Sequence, residues 1–287
     1  MEITIKDIAN SGLTQIPLEI KSLGKGPPHK GLLTADGEIE LSGKRYPSLD
    51  SAMEKALMED SLVAQPYKGS SNGWQFWGFY SEEREAWTPL EHLRAKLASS
   101  PKQSEIRTSD THPLRVDKVD IPGYSGGLGL TFCPGKRSEG LYGGTWERDL
   151  RKDLAALEDE GTALLISLME EHEFALLGVP EFPEVMGSSP IQWLHLPIQD
   201  MSTPAADFET KWKENRPEIN KLLNQGRLIV IHCRGGLGRT GLLAARLLVE
   251  AGMAPSDAVS RVKSARENAI ETYGQEEYVL NRAWEEL

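Results

Sequence analysis

One stretch constrains the fold of this chain more than any other: LIVIHCRGGLGRTG, residues 228–241. Its first four residues, 228–231, are consecutive apolar residues with the length and composition of a buried parallel strand. Three glycines then permit a tight turn, and residues 240–250 have the pattern of a helix. A buried strand that runs through a glycine-rich turn into a helix predicts an α/β fold.

The turn that follows this strand carries the residue types of a phosphate-binding, nucleophilic site. His232 ends the strand and Cys233 opens the turn. Backbone N–H groups that converge at a helix N-terminus bind phosphate and stabilise a thiolate, so Cys233 is the candidate nucleophile. The guanidinium of Arg239 matches two phosphate oxygens, and Thr240 is placed to donate its hydroxyl to the sulfur. The candidate phosphate-binding residues are Arg234, Gly235, Gly236, Leu237, Gly238 and Arg239.

This turn has other interpretations. A nucleotide-binding Walker loop is excluded, because its GxxxxGK[ST] pattern needs a lysine that is absent here. A structural cysteine in an ordinary strand-to-helix turn is the plain alternative, since a lone cysteine usually packs as a small apolar residue. Cys133 is the other cysteine. It is interpreted as such a packed residue, with a protective disulfide to Cys233 as the alternative.

Composition excludes several classes of protein. The net charge of −11 and pI near 5.2 argue against a broad electrostatic hold on nucleic acid. Apolar runs are too short to span a membrane, and the N-terminus lacks the pattern of a secretory signal. Two cysteines predict neither a disulfide scaffold nor a structural zinc site. We therefore expect a cytoplasmic protein with no membrane partner, no metal and no cofactor.

The N-terminal third reads as a small α+β accessory domain, residues 1–97. Asp36-Gly37 and Ser42-Gly43 separate short alternating stretches, which is typical of hairpins. Ser48 is a candidate N-cap for a helix that starts at Leu49. The aromatic stretch 72–80 is predicted as a strand, and residues 88–96 as a closing helix.

The remainder reads as a linker and a second domain. Residues 98–112 are polar and aperiodic, which favours an interdomain linker. Residues 113–287 alternate apolar strand-like and helical segments, which predicts a largely parallel central sheet. The predicted strands are 128–132, 163–168, 193–196 and 228–231. The predicted helices are 147–160, 208–224, 240–250, a helix capped by Ser256, and 275–286.

The second domain resembles a known family at specific positions. His232-Cys233-x5-Arg239-Thr240 matches the HCx5R[ST] signature of protein tyrosine and dual-specificity phosphatases. The fuller stretch HCRGGLGRTG is similar to the kinase-associated phosphatase group and the related mitotic-exit phosphatases. The resemblance covers residues 113–287. It implies the protein tyrosine phosphatase fold, with a central mostly parallel sheet flanked by helices. It also implies a phosphocysteine intermediate, no metal and a phosphorylated protein substrate.

The same resemblance suggests further site residues. The stretch 195–204, HLPIQDMSTP, resembles the general-acid loop of the family and assigns the acid to Asp200. Asp207 is the competing candidate, although an acidic residue is also favoured in the first turn of a helix. His232 is expected to support the loop. Gln275 matches a family glutamine that orients water, but Glu271 stands where the family pattern has glutamine, so this role stays open.

The substrate class is predicted from a missing recognition-loop signature and from the charges of the loop residues. No Asn-Arg-Tyr signature of a tyrosine-specific recognition loop is found, which favours a shallow cleft for phosphoserine, phosphothreonine and phosphotyrosine. Arg234 is basic but Leu237 is not, which argues against a phosphoinositide substrate. One alternative is a phosphate-reading or scaffold protein whose role lies in the N-terminal domain. Another is arsenate reduction, which normally needs resolving cysteines.

Residues 30–95 resemble, more distantly, the RAMA-type module found beside restriction and DNA-modification proteins. The resemblance rests on DGEIELSGKRYPSLDSAM, NGWQFWGFY and WTPLEHLR. It implies a nucleic-acid or protein partner for this domain. The alternative is that its alternating aromatic residues simply form the core of a small domain.

Overall fold

The computed structural model describes residues 3–23, 28–59, 72–98, 106–139 and 145–281. Two hydrophobic cores form. One consists of residues that follow the predicted linker, and the other of residues that precede it together with Tyr273. We call the described residues 3–98 the N-terminal module and the described residues from 106 onward the catalytic domain. The bounds predicted from the sequence, 1–97, 98–112 and 113–287, stay a prediction.

The N-terminal module is an α+β unit built on an antiparallel sheet. The six strands lie in the order β4-β3-β2-β1-β5-β6. Its elements are α1 (Ile5–Asn10), β1 (Leu18–Ser22), β2 (Lys30–Leu33), β3 (Ile39–Leu41), β4 (Lys44–Tyr46), α2 (Leu49–Glu59), α3 (Gly73–Phe76), β5 (Trp77–Ser81), β6 (Ala86–Pro89) and α4 (Glu91–Ala98).

The hairpins and the start of α2 in this module match the sequence predictions. The two predicted hairpins are confirmed, since β2 pairs with β3 and β3 with β4. The start of α2 is confirmed as well: the Ser48 hydroxyl accepts a hydrogen bond from the Ser51 N–H at 3.1 Å. Gly37 adopts φ +81°, and a Cβ there would lie 2.7 Å from the Cα of Lys6, so the turn needs glycine.

Two predictions for the module were wrong in part. The aromatic stretch starts as a helical turn, α3, because the Asn72 side chain accepts a hydrogen bond from the Trp74 N–H and caps it. Only residues from Trp77 onward form a strand. Thr88 and Pro89 belong to strand β6 rather than to the closing helix, which begins at Glu91.

The catalytic domain contains the expected α/β architecture. Its elements are β7 (Ile106–Arg107), β8 (Asp117–Asp120), β9 (Gly127–Phe132), β10 (Arg137–Glu139), β11 (Thr145–Glu147), α5 (Leu150–Asp159), β12 (Thr162–Ser167), α6 (Glu171–Leu176), α7 (Phe182–Gly187), β13 (Gln192–His195), α8 (Ala206–Asn224), β14 (Leu228–Cys233), α9 (Gly238–Glu250), α10 (Pro255–Ala265) and α11 (Tyr273–Asn281).

The central sheet has the order β13-β12-β14-β9-β8. Every neighbouring pair is parallel except β8 with β9. The mostly parallel sheet predicted from the sequence is therefore confirmed. Strand β14 lies in the middle of the sheet and is buried almost throughout, which is why its sequence is a continuous apolar run. Its C-terminal end leads into α9, whose residues 238–248 are all buried.

Element ends differ from the predictions by small amounts. Helix α5 begins at Leu150, because Asp149 caps it by accepting the Lys152 N–H. Helix α10 begins at Pro255, so Ser256 lies inside its first turn rather than at the cap. The predicted C-terminal helix is described only to Asn281, and its remaining residues lie outside the described part.

Part of the predicted linker is packed on the catalytic domain. Strand β7 pairs in parallel with β11. The Arg148 guanidinium donates to the His112 carbonyl at 2.6 Å and forms a buried ion pair with Asp153. Residues 99–105 lie outside the described part.

The module and the catalytic domain contact each other around α11. Tyr273, at the start of α11, is buried in the core of the module and meets Phe76 edge to face, with ring centroids 5.0 Å apart. The Gly274 N–H donates to the Leu23 carbonyl at 2.8 Å. These contacts hold the module beside the C-terminal edge of the central sheet. Within the described residues, no helix is both long enough and apolar enough to cross a membrane.

Candidate active site

The loop between β14 and α9 is shaped by backbone packing. Cys233 ends β14 opposite Phe132 of β9 and is 3% exposed. Gly236 has φ +68°, and a Cβ there would lie 2.2 Å from the Thr131 carbonyl oxygen. A larger residue cannot take this position, so the loop curls tightly into the N-terminus of α9. That geometry forms the anion-binding end of a helix directly after the cysteine.

Arg239 lies in the first turn of α9 and is 1% exposed. Its Nη1 and Nη2 donate to the two carboxylate oxygens of Glu173, at 2.5 and 2.8 Å. Nη1 also donates to the Ile198 carbonyl at 3.0 Å. The Nε–H is buried and has no hydrogen-bond partner among the described residues. The guanidinium is thus held in one plane with one donor left over.

Asp200 lies beside this guanidinium, on the loop between β13 and α8. Its Oδ1 is 3.0 Å from Arg239 Nη2, and its Oδ2 is 3.6 Å from Arg84 Nη1 of the N-terminal module. Burial raises the pKa of Asp200, but the guanidinium groups of Arg239 and Arg84 outweigh burial and hold the pKa below its usual range. Asp207, the competing candidate, lies exposed in the first turn of α8.

His232 is fully buried next to the cysteine. Its Nε2 lies 2.5 Å from the Ser167 hydroxyl, which accepts a hydrogen bond from Trp193 Nε1 at 2.8 Å. With its oxygen accepting from Trp193, the Ser167 hydroxyl has its proton available for His232 Nε2, and we assign the imidazole as the neutral acceptor. Burial lowers the pKa of His232 to about 3, in agreement with that assignment. The histidine thus anchors the end of β14 to β12.

Gln275 and Glu271 pack against the loop from the side of α11. The Gln275 carbonyl oxygen accepts from the Glu271 N–H at 3.0 Å, and its amide donates to the Ser202 carbonyl at 3.3 Å. Glu271 Oε2 accepts from the Gly238 N–H at 2.9 Å, and its Oε1 lies 3.2 Å from His92 Nε2 of the module. Burial raises the pKa of Glu271 and lowers that of His92 to about 3.

The other predicted site residues are found in the same loop. Arg234 is half-buried at the rim, whereas Gly235 is partly exposed and Leu237 is buried. Thr240 Oγ1 is buried without a partner among the described residues, and its role toward the Cys233 sulfur stays a prediction.

Both cysteines are free thiols. Cys133 is fully buried, and burial raises the pKa of its thiol. It donates to the Pro134 carbonyl at 3.5 Å. This is the packed residue that the sequence favoured, and no disulfide joins it to Cys233.

Four residues of this region escaped the sequence reasoning: Glu173, Arg84, Lys136 and His92. Glu173 is the third residue of α6 and also accepts from the Glu170 N–H, so its sequence context indicates only a capping box. Arg84 and His92 belong to the module and had no motif to identify them. Lys136 follows CPG, and only a family comparison would have separated it from ordinary surface lysines. Nowhere in the described chain do three His, Cys, Asp or Glu residues group as a metal site.

Comparison with known proteins agrees with this geometry. A family model described as "Polymorphic toxin system, DSP-PTPase phosphatase" matches residues 142–253. Cyclin-dependent kinase inhibitor 3 of Rattus norvegicus is 29% identical over 188 residues, which span 61% of this chain and 85% of the relative. The Homo sapiens protein is 28% identical over 196 residues, 64% of this chain and 89% of its own length.

A further match is shorter, and one solved structure shares the architecture. A probable protein tyrosine phosphatase type IVA B of Dictyostelium discoideum is 38% identical over 76 residues, 25% of this chain and 45% of the relative. The crystal structure of kinase associated phosphatase, with its catalytic-site cysteine replaced by serine, superposes with a TM-score of 0.51 at 27% identity. The superposition covers 58% of this chain and 92% of that one.

Proposed function

We propose that this chain, which belongs to the dual-specificity protein phosphatase superfamily, hydrolyses phosphoserine, phosphothreonine and phosphotyrosine through a phosphocysteine intermediate on Cys233. The observation that carries the proposal is the unpartnered Arg239 Nε–H. Buried donors in proteins are nearly always satisfied. Glu173 occupies the other side of the guanidinium, so an anion bound at the N-terminus of α9 would supply the missing acceptor.

The first chemical step is assigned to Cys233, Arg239 and Asp200. The Cys233 thiolate attacks phosphorus, and the bond from phosphorus to the substrate oxygen breaks. Arg239 and the loop N–H groups stabilise the charge on the non-bridging oxygens. Asp200 gives its proton to the departing oxygen, which leaves as a neutral hydroxyl. Once the phosphate is bound, its charge competes with the Asp200 carboxylate for Arg239, which favours protonation of the acid.

The second step releases the phosphate. Water attacks the phosphocysteine, its proton returns to the Asp200 carboxylate, and the thiolate leaves. Gln275 is proposed to orient this water, since it packs against Gly238 and reaches the acid loop at Ser202. His232 keeps the end of β14 in place. Thr240 is proposed to donate to the sulfur as it departs.

The finer expectations belong to the proposal as well. The reaction is expected to need no metal and no cofactor, and the substrate to be a phosphorylated protein. A cytoplasmic location stays a prediction. So does a nucleic-acid or protein partner for the N-terminal module. The alternative function is phosphate reading without turnover.

The test measures phosphate release from an aryl phosphate and from phosphopeptides in the presence of excess chelator. Wild type should turn over both. Cys233→Ser should lose nearly all activity yet still bind inorganic phosphate, because Arg239 and the loop N–H groups remain. Cys133→Ala is the matched control, since it removes the other thiol and should keep activity. Retention of more than a few percent of activity in Cys233→Ser would contradict the covalent mechanism. If the wild-type protein bound phosphate but did not hydrolyse either substrate, the alternative function, phosphate reading without turnover, would be favoured.

A further inference from the structure

The tip of the β5–β6 hairpin places a module residue in the active site. Arg84 lies in the turn between these strands, and its side chain is 5% exposed. Its Nη1 reaches Asp200 at 3.6 Å and the Met201 sulfur at 3.8 Å. The guanidinium therefore lies among the residues assigned above to catalysis, although it belongs to the N-terminal module.

Two further cations, Lys136 and Arg234, lie near enough to Arg84 to interact with it electrostatically. Lys136 is 5% exposed, and its amine lies 5.6 Å from the ring centroids of both Phe132 and Trp146. Arg234 lies at the rim of the loop. Arg84 and Arg234 both lie close enough to Lys136 to lower its pKa, which burial brings down to about 8. The three cations thus destabilise one another.

Anionic partners for this cluster are scarce. No carboxylate in the described chain lies within ion-pair distance of Lys136 or Arg234. Glu83 is close to Arg234 but pairs with Lys96 at 2.6 Å. Asp200 is the single carboxylate in ion-pair range of Arg84 within the described residues, and its Oδ2 accepts no hydrogen bond. Buried charges are costly without a counter-ion, so the cluster has the electrostatics of an anion site.

The loop geometry separates this site from the one that binds the scissile phosphate. Loop N–H groups that turn inward leave the side chains of a nest on its outside, so the Arg234 guanidinium belongs to the rim. Arg239, whose Nε–H has no partner among the described residues, faces the phosphate that is bound inside the loop. A cleft of about 500 Å³ opens between module and catalytic domain, lined by Tyr80, Trp87, Asp200 and Met201. The three cations do not line this cleft, and its link to them is through Asp200 and Met201, which contact Arg84.

We infer that Arg84, Lys136 and Arg234 form a second anion subsite, which binds a second phosphate of the substrate next to the phosphate that is removed. The inference rests on the proposed function and adds a substrate class to it. The N-terminal module is then a specificity element that completes the active site. A compact dianion suits three converging cations better than a single carboxylate does.

The test compares substrates that differ by one phosphate. One pair is a peptide with one phosphoserine and the same peptide with two. The other pair is an inositol monophosphate and an inositol bisphosphate with adjacent phosphates. Wild type should prefer the doubly phosphorylated member by about tenfold or more in kcat/KM, the scale of charge-assisted hydrogen bonds. The pair with the larger ratio identifies whether a peptide or an inositol ring carries the second phosphate.

Substitutions test which residues cause the preference for the doubly phosphorylated substrate. Arg84→Ala should reduce the ratio to about threefold or less, and Lys136→Gln should reduce it in the same direction. Arg45→Ala is the matched control: it removes the same charge from β4 of the module, where Arg45 is 55% exposed and pairs with Asp36, and should keep the ratio. Should Lys136→Gln fail to fold, Arg84→Ala decides alone, because its backbone lies in an exposed turn.

Two results would overturn the inference. One is a ratio near one in an active wild-type enzyme, and the other is a ratio unchanged by Arg84→Ala. If that unchanged ratio came with a rise in aryl phosphate turnover, the hairpin would be an inhibitory cap instead. Absence of all turnover in wild type would instead refute the proposed function. Turnover of the aryl phosphate therefore tells the two failures apart.

Discussion

Glu173 binds Arg239 through both carboxylate oxygens, at 2.5 and 2.8 Å, in the interior of the catalytic domain. The pair joins α6 to the first turn of α9, two elements that meet only in the tertiary structure. Because the guanidinium is planar and Glu173 binds its two terminal nitrogens, the direction of the remaining Nε–H is fixed. Arg239 is therefore oriented before substrate arrives, so it need not reorganise during the reaction.

The first prediction concerns this orientation. Glu173→Gln keeps one acceptor but loses the charge and the two-oxygen contact, so kcat/KM should fall by about 10- to 100-fold. Steady-state kinetics on an aryl phosphate measures the change. Glu171→Gln, an exposed position of the same helix, is the matched control. Equal rates for both variants would mean that Arg239 is oriented by the loop alone.

The second prediction concerns the shape of the cation. Arg239→Lys should be nearly as damaging as Arg239→Ala, because the donors of an ammonium radiate from one nitrogen and cannot reproduce the planar contact with Glu173 while a further N–H reaches phosphate. The expected loss is about a thousandfold in kcat/KM, the scale of removing a main transition-state donor. A mild loss in the lysine variant would indicate that phosphate binds without the guanidinium fork.

The third prediction separates the two candidate acids. Asp200→Asn should slow hydrolysis of a phosphoserine peptide strongly, since its alkoxide leaving group needs a proton. The same variant should affect an activated aryl phosphate much less. Asp207→Asn, an exposed residue of α8, should leave both rates close to wild type. The reverse pattern would move the general acid to Asp207.

The fourth prediction concerns the pH profile. Burial raises the pKa of Asp200, but Arg239 and Arg84 outweigh it and lower the pKa. Removal of one positive charge destabilises the carboxylate, so Arg84→Ala should raise this pKa. The acid then keeps its proton to higher pH, and the basic limb of kcat/KM for phenyl phosphate should shift upward. Arg45→Ala serves as control. If the basic limb of kcat/KM stayed at the same pH or moved to lower pH in Arg84→Ala, Arg84 would not be what lowers the pKa of Asp200.

The fifth prediction concerns stability. Burial raises the pKa of Glu271 above its ordinary value of 4.5, so the folded state binds this proton more tightly than the unfolded chain does. The stabilisation is complete below pH 4.5 and is lost as pH rises through the folded pKa. Glu271→Gln can still accept from the Gly238 N–H and lacks this loss. Urea unfolding at several pH values should show that the free energy of unfolding of Glu271→Gln increases relative to that of wild type as pH rises. A difference in unfolding free energy that does not change with pH would contradict the raised pKa of Glu271.

The sequence predicts the catalytic half of this molecule well because its strongest signals are local. The apolar run 228–231 is long enough to specify a central parallel strand, and the glycines after it admit only a tight turn. The spacing from Cys233 to Arg239 belongs to one loop, so neighbouring residues suffice to recognise it. Helix ends are specified less sharply by sequence, since caps such as Asp149 compete with nearby residues of similar propensity.

The tertiary structure alone determined which distant groups share the site. Glu173 meets Arg239 because α6 follows the strand next to β14 in the sheet. Arg84 reaches Asp200 because Tyr273 and Gly274 of α11 attach the module beside the loop. Ion pairs between residues far apart in the chain leave no periodic trace in the sequence. They depend on how two separately formed cores pack together, and no local rule of chain conformation specifies that packing.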